Sequence, residues 1–94
     1  MVPHRSLTPP SGLFHKNVVI ETRDVGRLRV VGSVREAAEV LLDEWPEAAR
    51  SGPAYGAATR ACQAALQGEA SAASARSAFV DAAKAADIFV REGR

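Results

Sequence analysis

One cysteine, two histidines and five aromatic residues are a small stock for chemistry in a chain of 94 residues. Cys62, alone, can form no intrachain disulfide and cannot complete a structural zinc set, which takes about four ligands. His4 and His15 stand apart from acids and cysteine, and no His-Glu-x-x-His pattern occurs, so no metal site is expected. Glycine-rich phosphate motifs need several glycines and a lysine, and Gly32-Ser33 supplies neither, so no cofactor is expected. No stretch approaches the roughly 18 apolar residues that span a bilayer. Residues 1–17 lack the continuous apolar run of a secretory signal, which makes a reducing cytoplasm the expected compartment. Charge of one sign is lacking too. With 12 basic and 11 acidic side chains the net charge is +1, and no global field steers the protein to nucleic acid or membrane. Large apolar side chains are also scarce. Of 44 apolar residues 19 are alanine, all beyond residue 36, which leaves 25 larger ones to build a core. Alanine favours helix but buries little area. So thin a core implies close helix packing or a partner that adds buried surface.

What is present suffices for one small domain. At 9.9 kDa, folding can hide about 64% of the chain's surface. Residues 1–12 hold three prolines among small polar residues and are expected to form a mobile tail, with Leu13 and Phe14 pinning its end. Residues 13–94 are then a single domain.

Residues 17–23 are rich in β-branched side chains, with Val18, Ile20 and Thr22 on one face. Residues 27–32 alternate in the same way, with Leu28 and Val30 opposed to Arg27, Arg29 and Val31. Asp24-Val25-Gly26 lies between them, with Gly26 placed for the left-handed position of a three-residue hairpin loop. The pattern predicts a two-stranded antiparallel hairpin over 17–32 whose inner face is Val18, Ile20, Leu28 and Val30. A lone hairpin is marginal in water and must pack on something.

Helices follow. Ser33-Val34-Arg35-Glu36 matches a capping box, and Val34, Ala37, Ala38, Leu41 and Trp45 recur at helical spacing until Pro46, which predicts a helix over 34–45. Pro53 suits the first turn of a second helix that carries Tyr55, Ala58, Cys62, Ala65 and Leu66 on one face and ends at Gly68. Ser71 caps a third helix, predicted over 72–91. Ala75, Ala78, Phe79, Ala82, Ala83, Ala86 and Val90 form its stripe, and Asp87 and Arg91 make a favourable pair four apart. Strands segregated from helices indicate an α+β domain, a hairpin packed on three helices in the order ββααα.

Ala37-Ala38 with Leu41-Leu42, then Trp45-Pro46, then Ala58, Cys62, Ala65-Leu66 and Gly68, and last Ala75-Arg76, Ala78-Phe79 and Ala82-Ala83, resemble a small bacterial family. It is catalogued as domain of unknown function 982, and the similarity covers about residues 14–90. The resemblance implies a compact stand-alone bacterial domain, and it transfers no activity, cofactor or catalytic residue.

Residue types that could act chemically have simpler roles here. Cys62 falls mid-helix on the apolar stripe, where a free thiol packs as a small hydrophobe. Glu36, Glu39 and Asp43 share one solvated helix face, with nothing to push their pKa values apart. Trp45 closes the end of an apolar stripe. No catalytic residue is assigned and no enzyme is expected. Charge is asymmetric, however: residues 1–32 carry net +3 and residues 33–94 net −2. Arg23, Arg27 and Arg29 are expected on the outer face of the hairpin, where a two-stranded ribbon could present them to nucleic acid. Three arginines make a small electrostatic footprint. The leading expectation is therefore a non-enzymatic interaction or regulatory module that self-associates as a homodimer, its protein partner unidentified. The alternative is a nucleic-acid-binding regulator using Arg23, Arg27 and Arg29.

Overall fold

A computed structural model describes residues 12–21 and 27–93. Residues 1–11 of the proposed tail and the Asp24-Val25-Gly26 turn fall outside those residues, as do Thr22 and Arg23, while the carbonyl of Gly12, the last tail residue, accepts from the Val34 N–H at 2.7 Å. The architecture is α+β, with strands β1 (Leu13–Glu21) and β2 (Leu28–Ser33), helices α1 (Val34–Asp43), α2 (Pro53–Leu66) and α3 (Ala72–Ala85), and strand β3 (Phe89–Glu92). A single 3-10 turn, Glu47–Ala49, lies between α1 and α2.

The sheet has three strands, not two. Its order is β2-β1-β3, with β1 antiparallel to both neighbours. Helical spacing predicts α3 through residue 91, but the helix ends at Ala85 and the chain returns as β3. Tertiary position overrides local preference here, because β3 pairs with a side of β1 that a hairpin alone leaves bare. Strand β1 also begins earlier than the alternation implies. It takes in Leu13 and Phe14, and an irregularity between Leu13 and Val18 re-aims the strand. Phe14 thereby enters the core while Leu13 stays exposed.

Register corrects the inner face. Val18 lies opposite Val31 and Ile20 opposite Arg29, while Val19 lies opposite Val30 and Glu21 opposite Leu28. Val18, Ile20 and Val31 join the hydrophobic core; Leu28 and Val30 point to the other side and are each 54% exposed. A one-residue difference in register moves every side chain of a strand to the opposite face. The expected inner pair Leu28 and Val30 is therefore outer, and Arg29, expected outside, is on the helix side.

The helices follow the sequence more closely. The Ser33 side chain accepts from the Glu36 N–H at 3.1 Å, as a helix cap should. Glu36 reaches back one residue further than a standard capping box: its Oε1 accepts from the Gly32 N–H at 2.7 Å, while Ser33 itself sits in the ladder opposite Leu13. Helix α1 stops two residues short of Trp45, and Arg50 holds its carboxyl end by donating to the Leu42 and Trp45 carbonyls. Pro53 occupies the first turn of α2, and Gly68 closes it at φ +80°. Ser71 caps α3 by accepting from the Ser74 N–H.

The core lies between the sheet and the helices, centred on Trp45 and Phe79, both fully buried. Their rings meet at 5.6 Å and a tilt of 60°, a favourable edge-on geometry, and Tyr55 flanks Trp45 at 6.1 Å. Alanines 58, 75, 82 and 83 are buried around them and let α2 and α3 approach closely. Close packing is thus how the thin core is filled. No described helix is long and apolar enough to cross a membrane.

Candidate functional site

The face of the sheet away from the described helices is the most anomalous surface. An antiparallel sheet covered on one side normally shows polar residues to water on the other. Here Val19, Leu28 and Val30 stand together on that side, since Val19 is paired with Val30 and Leu28 is two residues along the same strand. Val19 is 3% exposed and lies outside the core cluster, so Leu28 and Val30 carry the accessible apolar area on this side. Glu21 and Arg91 border this patch, opposite Leu28 and Val19 respectively. Val90 adds apolar surface, 40% exposed, at the irregular point of β3.

A second apolar surface is the groove between α1 and α2. It encloses about 220 Å³, with Ala38, Leu41 and Cys62 among its lining and the exposed Leu42 and Leu66 on its rim. Its hydroxyls are committed to the backbone. Tyr55 Oη donates to the Leu41 carbonyl at 2.9 Å, and Thr59 Oγ1 donates to the Tyr55 carbonyl at 3.0 Å. Burial pushes the Cys62 thiol up to about 11, so it is a neutral thiol at physiological pH, the opposite of an activated nucleophile. Small residues, among them Ala54, Ala82 and Ala86, line a further hollow of about 290 Å³ at the start of α2.

Of the three arginines, Arg29 does not lie on the outer face. Arg29 points to the helix side, its Nη1 3.0 Å from Glu44 Oε2 beyond the end of α1. Arg27 is exposed immediately before β2, and Arg23 is outside the described residues. Glu36, Glu39 and Asp43 do not converge on a cleft, since Glu36 is bound to Gly32 while Glu39 and Asp43 are exposed. Among the described residues no group of three or more histidines, cysteines or acids stands close enough to hold a metal ion.

Sequence reasoning missed Arg76. Its Nε donates to the Lys16 carbonyl at 2.8 Å, and its Nη2 lies 3.3 Å from Glu92 Oε2, an ion-pair separation without hydrogen-bond alignment. One α3 side chain thus ties β1 to β3. Nothing in the sequence could have revealed it before β3 was known to be a strand.

Residues 16–90, from within β1 to within β3, match the family model described as Protein of unknown function (DUF982). No curated protein and no solved structure matches the chain.

Proposed function

Because the chain belongs to the DUF982 family, which brings no activity with it, we propose from its geometry that it is a non-enzymatic interaction module that self-associates. The observation that carries this reading is the pair of half-exposed apolar side chains Leu28 and Val30, beside the buried Val19, on the side of the sheet that none of the described helices covers. Contiguous apolar surface of this kind marks interaction sites on small soluble proteins. A second copy is the occupant that fits best. Under a two-fold axis the same patch meets itself, and an axis passing midway between Glu21 and Arg91, the acid and base that border it, would set each over its opposite in the other copy. A three-stranded face is small, so the dimer is a weak one in exchange with monomer.

Sedimentation across micromolar to millimolar concentration tests the proposal. The expected result is a mass rising from 9.9 kDa toward twice that value, and a flat profile for the double variant Leu28→Glu, Val30→Glu. A wild-type chain that stays at 9.9 kDa over the whole range would refute it. The competing reading, a nucleic-acid-binding regulator, draws less support, because Arg29 is already paired with Glu44.

A further inference from the structure

Only residues 86–88 join α3 to β3, and the turn closes on Asp87 at φ +62°. The same hydrogen-bond pattern ends α2. There Gly68 N–H donates to the Ala65 carbonyl and Glu69 N–H to that of Ala64; here Asp87 N–H donates to Lys84 and Ile88 N–H to Ala83. The first turn has glycine at the left-handed position. The second has a residue whose Cβ crowds the backbone there. Local sequence also argues against the turn. Ala86 and Val90 extend the apolar stripe of α3, and Asp87 and Arg91 are spaced as a helical ion pair. In this segment helical preference and strand position conflict.

Contacts with the rest of the domain hold β3 in place. Glu21 N–H donates to the Ile88 carbonyl at 2.8 Å, Gly93 N–H donates to the Asn17 carbonyl at 2.7 Å, and Glu92 meets Arg76. A second copy of the strand could make every one of them. We propose that β3 exchanges between two copies of the chain. Helix α3 then runs on through Asp87 in the right-handed region, and residues 89–92 of each copy pair with β1 of the other. The ladder is kept, the strained turn is relieved, and only the entropy of association opposes the exchange. A short hinge under strain is the arrangement that favours such swapping. The exchange is independent of the outer sheet face, since Leu28 and Val30 take no part in it.

The full chain is refolded at high concentration and separated by size exclusion. The expected dimer persists for hours after dilution, because β3 must detach before it can return, whereas a sheet-face dimer dissociates at once. Asp87→Gly lowers the yield of this dimer several-fold and Asp87→Ala raises it, while Leu28→Glu with Val30→Glu leaves it unchanged. A cysteine pair reads the connection directly. A Cβ on Gly93 would lie 3.2 Å from that of Asn17, so N17C with G93C reaches disulfide range after a small shift. Oxidation of the dimer fraction should link two chains covalently on a denaturing gel, and oxidation of the monomer fraction should link only residues of one chain. The proposal is overturned by absence of a slowly dissociating dimer, by links confined to single chains in the dimer fraction, or by equal yields from D87G and D87A.

Discussion

Cys62 lines the α1–α2 groove with its thiol sealed from solvent, and the consequence can be read as a pH dependence. Its pKa is raised from 9.0 to about 11 by burial, which disfavours the thiolate. Above pH 9 the unfolded chain loses this proton while the folded chain keeps it, so the unfolded state is favoured. The contribution of Cys62 is therefore intact below pH 9 and is lost as the pH rises through 11. Denaturant titrations of wild type and Cys62→Ala at several pH values should show a steeper loss above pH 9 in the wild type. At pH 8 a thiol reagent should label Cys62 only once denaturant is added. Rapid labelling of the native protein would mean that the groove opens readily, and would remove the ground for calling the thiol inert. Trp45 shows another residue-scale feature. It sits at the centre of the core with its Nε1 buried and unpartnered, so the bulk of the indole, not its hydrogen bond, is what the core uses.

Two elements carry predictions of their own. Ser33 ends β2 and caps α1 with one side chain, so Ser33→Ala should cost about 1 kcal/mol and lower the Tm by roughly 4–8 °C for a domain of this size. A calorimetric scan checks this, and an unchanged Tm would show that Glu36 on Gly32 is cap enough. Arg76→Ala should loosen β3 while leaving the helices intact. Hydrogen exchange at the Gly93 amide should accelerate, with that at the core positions Val40 and Cys62 unaltered. These elements also show how far the sequence could be read. Helices α1 and α2 were legible because caps, prolines and Gly68 are local signals. Strand β2 was legible as a strand but not as to face. Both of its faces carry apolar residues, Leu28 and Val30 on one and Val31 on the other, and only pairing with β1 decides between them. The choice leaves Arg29 on the inner side, which is tolerable because Glu44 meets it there. Strand β3 was not legible at all, since residues 86–91 read as helix and their strand form depends on β1, some 70 residues away in sequence.

For the whole molecule, the scarcity of large apolar residues is met inwardly by alanine-lined contacts between α2 and α3, and Leu28 and Val30 remain half exposed on the sheet face that no described helix covers. The candidate site was therefore hidden in the sequence by the same register that misplaced Leu28 and Val30: their spacing marks them as a pair, and only the fold tells which side they serve. If that face meets a second copy, folding is linked to association, and the apparent stability must depend on concentration. The Tm of the wild-type chain should rise as concentration is increased a hundredfold. For Leu28→Glu with Val30→Glu it should be independent of concentration and close to the dilute wild-type value, because both side chains are already half exposed in the monomer and their replacement removes no core contact. A double variant that melts far below the dilute wild type would instead show that the outer face supports the fold itself. A wild-type Tm indifferent to concentration would leave the patch without the partner argued for it.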